Sequence, residues 1–532
     1  MLAILAGALA PACVSESTTE LGTRERAVGH GAGLPARTVW DWNGVVGTGQ
    51  SLAVGGWGDL SQGKDLYVVS RTQPYDNLKL HDSTPFEPDA GRSPYSLDGG
   101  GTYSVVPLTE PIRDLEVDGV PKDFQYPGNI LGETPQSGMA NQLTFMALRR
   151  GEPGLTSLHS AVGWWGHDMS GIDKEGTGKA YPASLMEARQ FKRLADEAGM
   201  SFGYQAVVLT HGESDSTNVG FEGDLEQMWV DYNEDLSAIT GQTQRIPLLV
   251  SQQASGPFFG GPPLSSLAMW RAGLDHPGDI VCVGPKYQYV YVDGTHMNAP
   301  SYRRLGEKYA EVLDALNHGV AWQPLEPTSA SLEGNVIRVV FHVPTPPLGW
   351  DTTLELPHTS APSKGIIDNR QWASGRGFEV ANTAGNLTIT NVSISGDSVL
   401  IELPGAPSRD GLTVRYAVTQ DAQVQSAGSG TGRLGQLRDS NDVVGYDAVD
   451  VDVNVTSGSS ILTAVVPGSF MGRSVREIVT NPALPENTII VARPDEGTIV
   501  LSSAWPDASG RATVKLHDSL HNYAVQFERL VE

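Results

Sequence analysis

Residues 182–209 read PASLMEARQFKRLADEAGMSFGYQAVVL, and this stretch indicates the fold class of the first half of the chain. The apolar residues of its first part recur at helical spacing, which predicts an amphipathic helix over 182–198. Gly199 is the residue type expected just past a helix end, and the apolar run Tyr204–Leu209 then predicts a buried strand. A helix that turns into a buried strand is typical of the α/β class.

The same alternation of apolar strands and amphipathic helices extends over about residues 37–318. A second helix is predicted near residues 225–239, strands are predicted at Ile246–Val250 and Ile280–Val283, and a last helix is predicted to begin at Ser301 as its N-cap. Strands that alternate with helices form a parallel sheet covered on both faces, so we predict a three-layer α/β/α domain. Ligand sites in such folds lie at the carboxyl ends of the strands.

The pattern changes after Gly319, where helical periodicity fades and short apolar runs separated by turn residues follow one another. Residues 319–532 are therefore predicted to form an all-β, sandwich-type region. Within it, residues 447–516 are predicted to be an inserted β module. If that module is independent, cleavage near residue 445 or 516 should leave the activity of the remaining chain intact.

The amino-terminal residues MLAILAGALAPAC form a short apolar run that ends at Cys13. Such a run is too short to span a bilayer and is typical of the apolar part of a secretory signal. The ending LAPAC resembles a bacterial lipobox, which would make Cys13 a lipidated, membrane-attached amino terminus. We expect residues 1–36 to be a signal-like or lipoprotein-like segment with a linker, and the protein to be secreted or an outer-surface bacterial lipoprotein. A plain apolar tail is the alternative.

Charge and motif content exclude several classes of function. Lys and Arg number 36 against 61 Asp and Glu, a formal net charge of −25, so nucleic acid is not an expected partner. The sequence contains no HExxH, zinc-type Cys/His spacing or P-loop, and we predict no metal and no other cofactor. Asp450, Asp452 and Asn454 alternate along one strand and favour a solvated face over a calcium site. Cys282, in an apolar run, is predicted to be a buried thiol.

Three segments carry residue types suited to nucleophilic catalysis, and each lies near a predicted strand end. Ser51 lies in GTGQSLAVG, residues 47–55, where the glycines allow a sharp turn that exposes a hydroxyl. Asp293 and His296 lie in DGTHMN, and an Asp three residues before a His can orient the imidazole as a general base. His211 opens HGESD directly after a predicted strand. Each segment alone is a weak signal, because a Gly/Ser turn or a polar loop explains it equally.

Together the GQS, HGESD and DGTH segments resemble the SGNH hydrolase superfamily, in particular its sialate O-acetylesterase-like carbohydrate esterases, over roughly residues 40–318. The resemblance implies a flavodoxin-like α/β/α fold with Ser51 as nucleophile, His296 as base and Asp293 as the residue that orients it. The chain departs from the family pattern at His211, where Gln or Asn is usual, but a neutral imidazole still offers one N–H.

The resemblance also implies an oxyanion hole made of the Ser51 backbone N–H, Gly166 and His211. Weaker expectations concern contacts with the substrate, and these involve Gln50, Trp164, Trp165 and Tyr287. The two tryptophans lie in a glycine-rich loop and are the better sugar platforms, whereas Tyr287 has packing in the core as its alternative.

The function implied is a serine esterase that removes O-acetyl or similar short acyl groups from a carbohydrate through an acyl-enzyme. One alternative is a non-catalytic carbohydrate-binding surface or phage-tail-type protein on a decayed esterase fold. A second is a lipase or thioesterase, which would prefer long acyl chains. An α/β-hydrolase fold is disfavoured because the sequence lacks a GxSxG elbow and its Asp and His are close together.

Overall fold

Strand β1 (Trp42–Gly49) occupies the middle of a seven-stranded sheet, and its carboxyl end carries Ser51. The computed structural model describes residues 34–55, 68–87, 92–255, 262–293, 295–354, 375–419 and 434–532. The other strands of this sheet are β2 (Leu78–Asp82), β3 (Tyr103–Pro107), β4 (Ser157–Ala161), β5 (Phe202–Thr210), β6 (Leu248–Gln252) and β7 (Ile280–Pro285). The helices of the described ranges are α1 (Leu115–Asp118), α2 (Pro135–Arg149), α3 (Met169–Ile172), α4 (Ala180–Ala198), α5 (Phe221–Thr240), α6 (Leu264–Asp275) and α7 (Ala299–Asn317).

Five central strands are parallel and lie in the order β4-β1-β5-β6-β7. Numbered along the chain, this order is second, first, third, fourth, fifth, which is the flavodoxin-like order. Strand β2 pairs in parallel with β4, and β3 completes the edge as an antiparallel neighbour of β2. The connections leaving the neighbouring strands β1 and β5 run to opposite sides, so a crevice is expected between their carboxyl ends.

Helices cover both faces of the sheet because successive strand residues point to opposite sides. Val45 and Val208 pack in one apolar cluster with residues of α2 and α7. Val46 and Val207 pack in the other cluster, with residues of α4, α5 and α6. The predicted α/β domain is therefore confirmed, and helix α4 ends as predicted before Gly199, whose φ is 71°.

Helix α7 begins earlier than its sequence pattern predicts. The N-cap is Asn298, whose side-chain oxygen accepts the backbone N–H of Ser301, and Pro300 fits the first turn because its missing N–H would have no partner there. The Ser301 hydroxyl instead accepts the backbone N–H of Val290. The start of α7 is thereby tied to the loop that carries Asp293 and His296.

The second half of the chain is β-rich, as predicted. Its strands are β8 (Glu326–Glu333), β9 (Val336–His342), β10 (Gly349–Trp350), β11 (Phe378–Asn382), β12 (Gly385–Leu387), β13 (Asn391–Ser395), β14 (Ser398–Glu402), β15 (Thr413–Tyr416), β16 (Leu437–Arg438), β17 (Val449–Val455), β18 (Ile461–Ala464), β19 (Ile478–Thr480), β20 (Ile490–Asp495), β21 (Thr498–Leu501), β22 (Gly510–His517) and β23 (Phe527–Leu530). Two four-stranded sheets, β12-β11-β15-β23 and β13-β14-β9-β8, contact each other through Phe341, which meets Phe378 and Phe527 edge to face.

Strands β17 to β22 form a six-stranded sheet in the order β19-β22-β17-β18-β21-β20, which we call the β module. Its buried residues form an apolar cluster of their own. Strand β15, before the module in sequence, pairs with strand β23, which follows the module. On the module's exposed face the carboxylate of Asp452 accepts the Thr513 hydroxyl at 2.6 Å, and the described residues contain no cluster of three His, Cys, Asp or Glu suited to a metal.

The α/β domain and the β-rich region share a buried polar contact, in which the Trp270 indole N–H donates to the Glu326 carboxylate at 2.7 Å. Burial raises the pKa of Glu326 from 4.5 to about 7. Below pH 4.5 this carboxyl is protonated in both folded and unfolded chains. As the pH rises from 4.5 to 7, the unfolded chain ionises first, so the folded state loses relative stability over that window.

Glu326→Gln should remove this penalty while keeping an acceptor for Trp270. We expect Tm to rise by roughly 3–5 °C at pH 8 and to stay near the wild-type value at pH 4, measured by scanning calorimetry. Glu333→Gln, at the exposed end of the same strand, is the matched control and should change Tm at neither pH. An equal shift of Glu326→Gln at both pH values would contradict this account.

None of the helices in the described ranges is both long and apolar enough to cross a bilayer. The predicted signal-like segment, its Cys13 and most of the linker fall on residues 1–33, outside the described residues. Cys282 is a buried free thiol whose pKa burial raises to about 12.

Candidate active site

The chain turns sharply at the carboxyl end of β1 and presents Ser51 in the crevice. Gly49 has a φ of 141°, and a Cβ at this position would lie 2.3 Å from the carbonyl oxygen of Thr210, so both backbone and space require glycine. Ser51 then opens a short 3-10 turn in which the backbone N–H of Val54 donates to the Ser51 carbonyl at 3.2 Å. The nucleophile candidate is thus held on a rigid turn, with 6% of its surface exposed.

The structure brings Ser51, His296 and Asp293 into one hydrogen-bonded chain. Ser51 Oγ lies 2.8 Å from His296 Nε2, across a sequence separation of 245 residues. His296 Nδ1 lies 2.7 Å from Asp293 Oδ2 on the opposite side of the ring. This arrangement can deprotonate the hydroxyl as it attacks a carbonyl, because the imidazole accepts the proton while the carboxylate fixes the tautomer.

A short closed loop carries the Asp and the His. Its ends are joined by two backbone hydrogen bonds, from Val292 N–H to the His296 carbonyl at 2.9 Å and from Asn298 N–H to the Val290 carbonyl at 3.0 Å. Inside the loop, Asp293 Oδ1 accepts the backbone N–H of His296 at 2.7 Å. The loop is therefore held together independently of the contact with Ser51. We call the described residues of this segment, 290–293 and 295–298, the Asp–His loop.

Electrostatics keep the Asp293 carboxyl ionised. Burial alone would raise its pKa, but hydrogen bonds from the His296 ring and from the backbone N–H groups of His296 and Thr295 outweigh burial and hold the pKa below its usual value. The carboxylate is consequently charged at neutral pH and able to accept the ring N–H.

Gly166 follows β4, in the loop that borders the crevice on one side of β1. The backbone N–H of Trp164 donates to the Gly49 carbonyl at 3.0 Å, which holds this loop against the turn before Ser51. Gly166 has a φ of 65°, and no atom of the described residues lies within 4 Å of the position a Cβ would take. The space on the Cβ side of Gly166 is therefore open.

The surroundings of His211 differ from those of an exposed donor, because its ring is wholly buried and its Nε2 faces Asp215. Nε2 lies 2.6 Å from Asp215 Oδ2, which also accepts the backbone N–H of Met169 at 2.8 Å. The ring stacks on Phe221, and Nδ1 has no hydrogen-bond partner among the described residues. The structure thus places His211 in the buried part of the loop after β5, against Asp215.

Gln50 also differs from its expected role as a substrate contact. Its side chain is 2% exposed, donates to Glu213 Oε2 at 3.2 Å and accepts the Ser214 hydroxyl at 2.8 Å. Glu213 Oε1 in turn lies 3.0 Å from the buried ammonium of Lys286. Both amide ends of Gln50 are therefore occupied in bracing the Ser51 turn against the loop after β5, which leaves no end of the side chain for a substrate.

Tyr287 likewise lies in the core rather than in the crevice. Its ring is completely buried, and its hydroxyl donates to the Ala524 carbonyl at 2.7 Å, in the β-rich region. This is the packing alternative raised by the sequence. A single sequence cannot separate the two roles, because a tyrosine near a strand end suits either a core or a substrate site.

Trp164 and Trp165 are half-buried on the loop after β4, where a substrate could reach them. Trp164 stacks on His167 with ring centroids 3.8 Å apart. Phe124 is 66% exposed and meets Trp165 edge to face at 5.9 Å, which adds a third ring to this aromatic surface. Phe124 lies far from the other two in sequence and matches no motif, so sequence reasoning does not single it out.

Comparison with known proteins finds solved structures of low similarity. No protein-family model matches the chain, and no curated protein matches it. The chain is similar to a novel carbohydrate acetylesterase from Xanthomonas citri, at 13% identity over 73% of this chain and 77% of the other, with a TM-score of 0.41. It is also similar to NanS, at 12% identity over 52% of this chain and 98% of the other, with a TM-score of 0.33. The residue assignments therefore rest on the geometry of the site.

Proposed function

We propose that the chain is a serine esterase that removes O-acetyl or similar short acyl groups from a carbohydrate. The observation that carries this proposal is the continuous hydrogen-bonded chain from Ser51 Oγ through His296 to Asp293, with contacts of 2.8 and 2.7 Å. A nucleophilic hydroxyl, a base and a carboxylate in this geometry serve acyl transfer on several unrelated folds.

The proposed reaction has two halves. Ser51 Oγ attacks the ester carbonyl while His296 takes its proton; the bond to the sugar oxygen then breaks, and His296 returns the proton to that oxygen. Water, deprotonated by His296, attacks the acyl-enzyme and releases the carboxylic acid and free Ser51. The backbone N–H groups of Ser51 and Gly166 are the proposed oxyanion donors, each worth about 3 kcal/mol if well placed.

Two features support a sugar substrate and action outside the cytoplasm. The aromatic surface of Phe124, Trp164 and Trp165 beside the Ser51 turn offers ring faces for a sugar. Export, with lipid attachment at Cys13, is proposed from the apolar run that ends at this residue.

A chain-length series tests the acyl preference. With p-nitrophenyl esters, we expect kcat/KM to be highest for acetate and to fall by about 10-fold or more at octanoate. Release of acetate from a panel of acetylated polysaccharides, measured enzymatically, should identify the sugar. Preference for octanoate would favour the lipase or thioesterase alternative, and no turnover of any ester would favour the non-catalytic one.

A further inference from the structure

The β module contacts the Asp–His loop through a buried side-chain pair. Asn298 Nδ2 donates to Ser474 Oγ at 3.0 Å, with 8% of Asn298 and 4% of Ser474 exposed. Ser474 lies in the module, just before β19, whereas Asn298 is the last residue of the Asp–His loop, two positions after His296.

Asn298 is the joint between the Asp–His loop and helix α7. Its side-chain oxygen caps α7 by accepting the Ser301 N–H at 3.0 Å, and its backbone N–H closes the loop by donating to the Val290 carbonyl at 3.0 Å. The amide can keep its oxygen on the cap only while its NH₂ group points the other way, toward Ser474. The Ser474 hydroxyl therefore selects the orientation of Asn298 that both the cap and the loop need.

Ser474 is itself held in place by buried charge. Its backbone N–H donates to Glu477 Oε1 at 2.9 Å. Glu477 is completely buried and lies 3.6 Å from Arg304 of α7 and 3.4 Å from Arg473 of the module. Ser474 is thus held, through Glu477, by helix α7, and it in turn contacts Asn298, the N-cap of the same helix.

Both junctions of the module are anchored on α7. Asp447, just before β17, lies 2.6 Å from Arg303, and Asp518, just after β22, is paired with Arg304. These four side chains are nearly buried, at 5 to 11% exposure. Removing one partner of a buried ion pair leaves the other uncompensated, which destabilises a protein strongly. Deleting the module would therefore leave Arg303 and Arg304 without these two carboxylates.

We infer that Ser474 is a positioning residue for the Asp–His loop, and that the β module belongs to the catalytic unit. The inference rests on the proposed function. Ser474 does not contact the reacting atoms; it acts through Asn298 on the placement of His296 relative to Ser51. Displacements of about 1 Å in such a contact can cost up to about 100-fold in rate.

Ser474→Ala tests this role in the full-length chain. We expect kcat for p-nitrophenyl acetate to fall about 10-fold with KM within 2-fold of wild type, and Ser51 labelling by a fluorophosphonate to slow in parallel. Hydrogen exchange of peptides covering residues 290–298, followed by mass spectrometry, should become faster. Ser474→Thr, which keeps the hydroxyl, should restore most of the rate.

Ser469→Ala is the matched control, because Ser469 is a partly exposed serine of the same module whose hydroxyl donates to the Val466 carbonyl. It should leave kcat, labelling and exchange unchanged. If the wild type is active and Ser474→Ala has the wild-type kcat, the inference is overturned, whatever the hydrogen-exchange rate of the peptides covering residues 290–298. If the wild type hydrolyses no ester, the proposed function fails, and exchange alone decides whether Ser474 holds the loop.

Discussion

Ser51→Ala should abolish ester hydrolysis, with kcat falling by about 10⁴-fold or more. Alanine cannot form the acyl-enzyme, and the imidazole 2.8 Å from Ser51 Oγ then has no hydroxyl to deprotonate. The residual rate should reflect only binding and the oxyanion donors. Initial rates with p-nitrophenyl acetate, together with mass-spectrometric detection of an acyl group on Ser51, provide the measurement.

The fold should survive the Ser51→Ala change, because Ser51 lies in a short turn held by backbone hydrogen bonds. An unchanged Tm and far-ultraviolet circular dichroism spectrum would establish this. Ser469→Ala again serves as a serine control with wild-type turnover. If Ser51→Ala retained a tenth of the wild-type kcat, the assignment of the nucleophile would be wrong.

Asp293→Asn should lower kcat by about 10²–10³-fold while leaving the loop folded. The carboxylate accepts the His296 ring N–H at 2.7 Å and the backbone N–H groups of Thr295 and His296. An amide can accept one set of these bonds but presents N–H to the other, which disfavours the required tautomer and leaves the imidazolium without a counter-charge. Because the Asp293 side chain is 46% exposed, water should offset part of the loss.

The pH dependence of wild-type activity follows from the depressed pKa of Asp293. An acid with a lowered pKa holds its charge above that pKa and loses it only as the pH falls through it. Activity should therefore show no loss from Asp293 protonation at pH 5 or above, measured as kcat/KM across a buffer series.

The matched control for Asp293→Asn is Asp275→Asn, at an exposed aspartate on α6. A kcat of Asp293→Asn within 3-fold of wild type would contradict the proposed orienting role.

The elements with strong local patterns could be predicted from the sequence. The spacing of apolar residues predicts helix α4 and strand β5, and Gly199 indicates the boundary between them. The start of α7 is less certain because Asn298, Ser301 and Pro300 are all plausible in a first turn, and only the tertiary contact of Ser301 with Val290 decides which residue caps.

The site residues likewise differ in whether a local motif indicates them or only a tertiary contact places them. The triad could be proposed because its residues lie in short motifs at strand ends. The placements of Gln50, His211 and Tyr287 could not be deduced, because each depends on a partner brought close by folding. The contact of Ser474 with Asn298 spans 176 residues and carries no motif, so nothing local indicates it.

The polypeptide enters and leaves the β module at nearly the same place, since Val444 and Ser519 face each other as a β-bridge. A short peptide joining these two positions would therefore close the chain with little geometric distortion. Such a shortened protein would nevertheless expose Arg303 and Arg304 without the carboxylates of Asp447 and Asp518, so the deletion would need apolar or neutral replacements at both positions to remain soluble and folded. Conversely, grafting the six-stranded sheet onto another scaffold would require a recipient helix bearing both guanidinium groups.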